Sequence, residues 1–556
     1  MADSERSGRF LDTPEFRPLH AIGNSESIFN RLDYQPTGKD MFHLNLFLAR
    51  NWFQTPNSFD QQAAGQDQKQ QSRTYSIAPG YVRTINPQSV ITWNPYLRSD
   101  FIDYYPSRNP FADQPATIAS KRSLKNYGTR GDYSYLKGKN NFKTGIQISR
   151  THLTESFNFG ITEPDFVDPV TQPGLVPFDL TKGGHLLQFH GATNVDQFAW
   201  YAQDSLTLGQ FNFTGGLRID HYNGLVVDSA LEPRGGISYH VKPTGTVLRI
   251  GYSHTFETPY NENLILSSTT GQGGLAANAF GASATALQPG RRDQYNAGLE
   301  QAVLKKLVVS ADYFWKYTTN GFDFASLLDS PIVFPISQRK SKVDGVGARV
   351  TLTNIHGFSA FVSLGHSRAR YFPPSTGGLI FNSDQDNGVF RIDHDQAFQQ
   401  TTHLRYQAPF KTSPWIAFTW RYDSGLVAGS AQDLPTILQL TGDQQAAIGF
   451  FCGNQFATPT SAITQCSANY GATRVTIPAA GTFNADHNPP RINPRNLFDA
   501  AVGFDNLLRR DRYKLKLELS ATNLTNKVTL YNFLSTFSGT HFVTPRSYQA
   551  VLGFTF

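Results

Sequence analysis

Residues 546–556 at the end of the chain read RSYQAVLGFTF, and this stretch decides the fold. Successive side chains of a β-strand point to opposite faces, so alternation with a period of two predicts a strand with one apolar face. A half-buried strand of a soluble protein shows the same pattern, so this segment alone does not separate a lipid-facing strand from a core strand. The alternate apolar positions are Tyr548, Ala550, Leu552, Phe554 and Phe556.

The lengths of the connections upstream separate the two cases. Counted backwards from Phe556, long and short connections alternate. The long ones fall at residues 523–545, 424–496, 372–390, 319–339, 257–291, 153–195, 96–120 and 51–71. The short ones fall at residues 509–511, 410–413, 355–357, 304–306, 242–245, 209–210, 138–140, 85–89 and 36–38. The connection at residues 226–232 should be long in this alternation, but it is short.

Outer-membrane barrels have short periplasmic turns and long external loops, whereas sandwiches and propellers have no reason to keep long loops at one end. We therefore predict an all-β fold, a large antiparallel transmembrane β-barrel, with strands of about 9–15 residues. Residues 424–496 form its longest external loop.

Composition agrees with this fold. Aromatic residues make up 13% of the chain and charged residues only 17%, against a usual ~25%, while mean hydropathy is −0.36. These values suit strands that face lipid on one side and water on the other. No apolar run reaches ~18 residues, and the start MADSERSGRFLD has no signal-peptide pattern. The net charge of +6 is spread along the chain, so we expect no nucleic-acid partner.

Several segments resemble one protein family. NLTNK at 523–527, YN at 531–532, PRSY at 545–548 and the final GFTF resemble the end of TonB-dependent outer-membrane receptors. FETPYNENL at 256–264 is similar to the family's Pro-then-Glu pattern, where a mid-barrel strand passes into an external loop. SGRFLDTPEF at 7–16 and residues 28–34 resemble early barrel strands of an Oar-like subgroup.

The resemblance implies a barrel of about 22 strands, of which about 20 are visible, and an N-terminal plug that is absent from this chain. Residues 1–25 are expected to hold an incomplete first strand and an external loop, and residues 26–556 the barrel. The implied partners are outer-membrane lipid, the TonB complex acting through the plug, and a small nutrient: a ferric chelate, cobalamin or an oligosaccharide. The barrel-assembly machinery is expected to read the alternate residues from Tyr548 to Phe556.

Charged residues on the opposite strand faces are expected to line the lumen. In one interpretation they attract a polar or anionic ligand. In the other they pair with one another, or with plug residues, and form a hydrated barrel wall. The second interpretation is favoured because every large barrel has a polar interior. The candidates are Arg249, Asp312, Lys316, Arg349, Arg421, Lys514, Lys516 and Glu518.

The longest external loop carries two further predictions. Cys452 and Cys466, 14 positions apart, are expected to form a disulfide, since the outer surface is an oxidising environment, although two unpaired thiols remain the alternative. Thr441 is expected to cap a short helix over residues 442–450. Elsewhere, residues 382–388 read NSDQDNG, for which a solvated turn is favoured over a weak calcium loop.

No catalytic constellation, metal-ligand spacing or cofactor motif is found, so the protein is expected not to be an enzyme and to need no cofactor. The first hypothesis is a receptor and transporter barrel of the bacterial outer membrane that binds a scarce nutrient at its external loops and lumen. The alternatives are a passive porin or structural surface barrel, and a soluble β-rich binding protein. Steady ion conductance would favour a porin, and solubility without detergent would favour the soluble protein.

Overall fold

The computed structural model describes residues 2–268, 285–303, 306–328, 330, 332–378, 388–510, 512–535 and 539–555. Two predictions therefore concern residues outside this set, namely the position of Phe556 and the turn at residues 382–387. Within the part of the chain that the structure describes, no helix is both long and apolar enough to cross a membrane.

The secondary structure is dominated by strands. The first half of the chain contains β1 (Ala2–Ser7), β2 (Gly23–Tyr34), β3 (Asp40–Gln54), β4 (Lys69–Asn86), β5 (Ser89–Tyr105), β6 (Ala116–Lys137), β7 (Asn140–Ile161), β8 (Leu187–Leu208), β9 (Phe211–Asn223), β10 (Val227–Val241) and β11 (Thr246–Glu257). The second half continues with β12 (Gly290–Val303), β13 (Leu307–Ser326), β14 (Val333–Ile355), β15 (Phe358–Gly378), β16 (Phe390–Arg391), β17 (Gln399–Gln407), β18 (Pro414–Asp423), β19 (Phe450–Cys452), β20 (Gln455–Phe456), β21 (Tyr470–Ala472), β22 (Val475–Thr476), β23 (Arg491–Ile492), β24 (Arg495–Phe504), β25 (Lys514–Thr522), β26 (Leu530–Ser535), β27 (Gly539–Phe542) and β28 (Ser547–Thr555).

Within the described residues the helices are all short and lie in connections. They are α1 (Phe59–Ala63), α2 (Leu264–Ser268), α3 (Leu434–Ile437) and α4 (Gly442–Ile448), with 3₁₀ turns at Pro110–Ala112, Pro173–Phe178 and Leu180–Lys182. The Thr441 hydroxyl accepts the Gln444 amide and Gln444 caps in return. This capping box confirms the helix predicted in the longest loop.

One antiparallel sheet of 21 strands contains β1–β18, β24, β25 and β28. Because β16 has only two residues, 20 longer strands remain, as many as the sequence predicted. From β1 to β15 each strand pairs with its neighbour along the chain. β15 also pairs with β17 beyond the short β16, β18 pairs with β24 across the loop of residues 424–494, and β25 pairs with β28. In the described residues no pairing joins β1 to β28, which form the two edges of the sheet.

The sheet curls around one of its faces at the long-loop end. Phe157 on β7 packs against Phe334 on β14 with ring centroids 6.3 Å apart, although six strands separate β7 from β14. The two rings belong to a larger buried cluster that also holds Ile118 on β6 and Leu175 in the following connection. Such contacts between distant strands require the face that carries them to be concave, so this face is the inner one.

The outer face is apolar and exposed. On β28, Tyr548, Leu552 and Phe554 are 74%, 70% and 58% exposed, and Ala550 lies on the same face. Exposed aromatic and aliphatic side chains continue this belt on the other strands, among them Trp93, Ile148, Phe198, Ile250, Ile416 and Leu519. Large apolar surfaces of this extent are buried in soluble proteins, so the belt is the surface that meets the membrane.

Several strands are longer than the sequence predicted. Residues 153–195 were expected to be a loop, yet β7 extends to Ile161 and β8 begins at Leu187. Residues 319–339 were also expected to be a loop, but β13 and β14 continue pairing to Ser326 and Val333. Likewise β10 begins at Val227, inside the expected connection 226–232. On β7 the outward positions become polar beyond the membrane while the backbone pairing continues, and the apolar residues Phe157, Phe159 and Ile161 lie on the inner face.

The loop of residues 424–494 forms a compact cap with its own core. Ile448, Phe450 and Val475 pack with Phe533 and Phe542 of the hairpin β26–β27, and Phe16 from the connection after β1 covers them. The Phe542 amide donates to the Thr13 carbonyl at 2.9 Å. The connections beside both edge strands are therefore joined in one cap.

Candidate functional site

The predicted lumen residues lie on the concave face wherever the register can be followed. Arg249 is flanked by the exposed residues Leu248 and Ile250, so its own side chain points inward. By the same alternation, Arg421 points inward because its neighbour Trp420 is exposed on the outer face. Glu518 points inward for the same reason, since its neighbour Leu519 is exposed on the outer face. The remaining candidates lie on the same inner face by register: Asp312 and Lys316 on β13, Arg349 on β14, and Lys514 and Lys516 on β25.

Most of these charges are engaged with neighbours. Arg421 pairs with Asp499 at 2.9 Å, and Lys516 pairs with Glu518 at 2.8 Å. The Arg349 guanidinium lies 4.2 Å from the centre of the Phe361 ring. The hydrated-wall interpretation accounts for such contacts, because paired charges leave little net field to attract a ligand.

Arg249 and Asp312 form the most specific of these pairs. The Arg249 Nε donates to the Asp312 Oδ1 at 3.2 Å, although the two residues lie on β11 and β13. Gly298 on the intervening β12 lies between them in the register. A Cβ at Gly298 would lie 2.9 Å from the Asp312 Cγ and 3.2 Å from the Arg249 Nε. The pair therefore depends on the missing side chain at Gly298.

One cavity on the inner face lies away from those eight residues. It has a volume of about 430 Å³ and lies between the inner face of β4–β6 and the segment that follows β11. Arg98 and Arg122 supply its cations, Asp100 and Glu262 its carboxylates, and Tyr260 and Phe324 its aromatic wall. Arg98 is bound to Asp100 at 2.8 Å, and Arg122 to Glu262 at 2.8 Å.

Two residues of the inner wall hold the segment that closes this cavity. Arg122 on β6 lies directly opposite Glu155 on β7. The buried Glu155 carboxylate accepts the amides of Ile265 at 3.2 Å and Leu266 at 2.9 Å, while Arg122 binds Glu262. Residues 262–266 are thus attached to the wall at two points, and we call this arrangement the wall clamp.

The Arg122 side chain is only 9% exposed, and its Nε is buried without a hydrogen-bond partner among the described atoms. Glu262, by contrast, is 42% exposed. A buried guanidinium with one spare donor, facing an exposed carboxylate, can exchange that carboxylate for an acidic oxygen of a ligand.

In the longest loop the structure joins Cys452 to Cys466 by a disulfide, with the two Cα atoms 5.8 Å apart. Groups of His, Cys, Asp and Glu suited to hold a metal ion are not found among the described residues.

The chain was compared with known protein families. The model of the family described as TonB dependent receptor-like, beta-barrel matches residues 18–526. The chain belongs to this family. It is a receptor and transporter barrel of the outer membrane that serves nutrient uptake, and its family is made up of transporters rather than enzymes. No curated protein sequence matches the chain.

Solved structures show the same fold at low identity. The unliganded ferric citrate transporter FecA is 13% identical with a TM-score of 0.61, covering 96% of this chain and 70% of its own. The iron transporter FrpB from Neisseria meningitidis is 12% identical with a TM-score of 0.63, covering 100% and 76%. The ferric-catecholate import receptor Fiu from E. coli K12 is 14% identical with a TM-score of 0.60, covering 100% and 76%.

Sequence reasoning missed the wall clamp of this TonB-dependent receptor barrel. Arg122 and Glu155 are 33 positions apart in the sequence, and the strand register that brings them together cannot be read from the sequence. The one available signal was Glu262, which lies inside the Pro-then-Glu block used for the family resemblance.

Proposed function

We propose that the receptor takes up a metal chelate with acidic oxygens, bound first in the cavity behind the wall clamp. The observation that carries this proposal is the buried, incompletely bonded Arg122 facing the exposed Glu262. An acidic ligand oxygen replaces the Glu262 carboxylate on Arg122 and gains a charge-assisted bond in a sheltered site. The aromatic side chains of Tyr260 and Phe324 cover the apolar parts of the ligand.

Ligand binding in this scheme loosens the closing segment. Once Glu262 has left Arg122, residues 262–266 are still held to β7 by the two amide bonds to Glu155 and to β14 by the Asn263 side chain, which donates to the Val333 carbonyl at 2.8 Å. The cavity then opens further into the lumen, where the paired charges from Arg249 to Glu518 provide a hydrated path of low net field. Uptake depends on release from a strong first site onto such a path.

The ligand class agrees with the solved structures of similar fold, which include ferric citrate, ferric catecholate and iron transporters. The basic balance of the chain, with a net charge of +6, points in the same direction. Neutral oligosaccharides, which the family resemblance also implies, offer no acidic oxygen for Arg122, and cobalamin offers only its single phosphodiester.

The remaining parts of the proposal come from the resemblance. Energy is passed from the TonB complex through a plug domain, and the barrel belongs to the Oar-like subgroup. Residues 1–25 hold the start of the barrel, and residues 26–556 the transmembrane barrel. Tyr548, Ala550, Leu552, Phe554 and Phe556 form the signal for the barrel-assembly machinery, and lipid surrounds the apolar belt.

Calorimetric titration of the purified barrel in detergent tests the ligand class. Ferric citrate and a ferric tris-catecholate are compared with cyanocobalamin and maltohexaose. We expect at least one ferric chelate to bind ten times more tightly than either neutral ligand, and Arg122→Gln to reduce that affinity at least tenfold.

Arg31→Gln is the matched control, because Arg31 forms an exposed ion pair with Asp33 far from the cavity. Its affinity should stay within twofold of the parent protein. Tighter binding of maltohexaose or cyanocobalamin, or equal losses in Arg122→Gln and Arg31→Gln, would overturn the proposal.

A further inference from the structure

The outer face of β5–β9 changes character over a few residues. Register places Ile148 on β7 beside Phe198 on β8, both exposed in the apolar belt. The next outward-facing pair toward the external end is Arg150 with Asp196, and the pair after it is His152 with Asn194. The apolar belt therefore ends between Ile148 and Arg150, and the surface above it is polar.

A groove lies at this boundary. It has a volume of about 610 Å³, and its outward-facing lining combines Tyr127, Ile148 and Phe198 with Arg150, Asp196 and His221. Tyr127, Arg150 and Asp196 form one row of directly opposed residues across β6–β8, so the apolar and charged walls of the groove meet along a single line. An occupant that matches both walls has an apolar part and a polar head.

Cations dominate the surface just beyond the groove. Lys125 lies opposite His152, and Lys121 lies opposite Ser156 and, one strand further, His190. Both lysines are exposed, and neither forms an ion pair within the described part of the chain. The two nearby carboxylates are engaged elsewhere, since Asp103 binds Arg73 at 3.1 Å and Asp196 binds Arg150.

The geometry points to a binding site for a phosphorylated lipid of the external leaflet, with its acyl chains in the groove and its head group on Lys121 and Lys125. The groove continues the belt that already meets the membrane, so the apolar part of the occupant comes from the bilayer. Lys121 and Lys125 are four residues apart on one strand face, about 13 Å, so a head group with more than one phosphate spans them best. This site lies on the opposite side of the wall from the nutrient cavity.

Native mass spectrometry of the delipidated barrel in micelles tests the site. The protein is titrated with cardiolipin, which has two phosphates, phosphatidylglycerol, which has one, and phosphatidylcholine, which has no net charge. We expect cardiolipin to bind most tightly and at least ten times more tightly than phosphatidylcholine. Inorganic phosphate at 100-fold excess should displace less than half of it, because phosphate lacks the acyl chains.

Two double variants locate the binding. Lys121→Gln/Lys125→Gln should lower the cardiolipin affinity at least tenfold, and Lys121→Arg/Lys125→Arg should restore it. Lys137→Gln/Lys139→Gln removes the same charge at the other end of the same hairpin and should change the affinity less than twofold. Equal losses at the two ends, no preference among the three lipids, or full displacement by phosphate would overturn the site.

Heat-modifiable gel mobility reports whether each variant is folded. If the Lys121→Gln/Lys125→Gln barrel does not fold, the Arg150→Gln variant is titrated in its place, and retention of the parent affinity there would also count against the site.

Discussion

Arg122 and Glu155 lie opposite each other on neighbouring strands, and between them they hold both ends of the segment 262–266. The arginine binds a side chain and the glutamate binds two backbone amides. The clamp therefore has one part that a ligand anion can exchange and one part that it cannot.

Replacing Glu155 should free the segment without harming the barrel. Glu155→Ala leaves the Ile265 and Leu266 amides without their acceptor, and an unsatisfied buried group costs about 1–3 kcal/mol. We expect amide hydrogen exchange of residues 264–267 to accelerate at least tenfold. Glu155→Gln keeps an acceptor oxygen and should give an intermediate rate.

The control for this change is Glu163→Ala, in the connection after β7. It should leave exchange at residues 264–267 unchanged. Global unfolding should stay within 2 °C in all three variants, as roughly expected for a local change in a barrel of this size. Unchanged exchange in Glu155→Ala would show that the clamp does not hold the segment.

The junction between the cap and the first external loops should tighten in acid. The Glu15 carboxylate accepts the Phe59 amide at 3.2 Å. Burial, together with the charges of Asp443 and Asp60, raises the pKa of Glu15 to about 7. The hydrogen bond from the Phe59 amide and the charge of Arg474 lower this pKa, but by less. Burial and Asp443 also raise the pKa of Asp60.

A raised folded-state pKa means that the folded junction holds its proton more tightly than the open one. The stability it contributes is therefore fully present below about pH 4.5 and is lost as the pH rises through about 7. Hydrogen exchange of residues 58–63 and 441–446, corrected for intrinsic rates, should accelerate between pH 5 and pH 8. Glu15→Gln should remove most of this dependence, whereas Glu5→Gln on β1 should retain it.

Reduction of the Cys452–Cys466 disulfide should loosen the cap and spare the barrel. Closing a loop of this size contributes roughly 3 kcal/mol by restricting the open chain. Cys452→Ser/Cys466→Ser should increase proteolysis within residues 450–470 at least tenfold. Gel mobility of the folded barrel should not change. If the folded-barrel band disappears in the same variant that gains cap proteolysis, the prediction is contradicted.

Features that depend on local sequence patterns could be predicted, whereas features that depend on contacts between distant residues could not. Period-two alternation from Tyr548 to Phe554 and the alternating connection lengths are local. They predicted the sheet, its strand count and a longest loop at residues 424–496, which the structure ends at residue 494. In the extension of β7 the alternate apolar residues Phe157, Phe159 and Ile161 lie on the inner face and the outward positions are polar, so its strand form was missed. Arg122, Glu155 and Glu262 are brought together only by register and by a returning loop, which no local pattern encodes.

Two glycines beside Asp312 give a matched test of the inner wall. Asp312 on β13 lies opposite Gly298 on β12 and Gly347 on β14. A Cβ at Gly298 meets Asp312 and Arg249, whereas a Cβ at Gly347 meets nothing within 4 Å. Gly298→Ala should therefore displace the Asp312 side chain and break its pair with Arg249, which costs at most about 1 kcal/mol because both groups are partly exposed.

Gly347→Ala should be neutral or stabilise the barrel by about 0.5–1 kcal/mol, since alanine loses less backbone entropy in a strand. Urea unfolding followed by gel mobility measures both changes. In an Asp312→Ala background most of the penalty of Gly298→Ala should disappear, because the side chain nearest to the added methyl group is gone and only the Arg249 Nε, 3.2 Å away, remains. If Gly298→Ala costs the same with and without Asp312, the glycine is required for the backbone of β12 rather than for the ion pair.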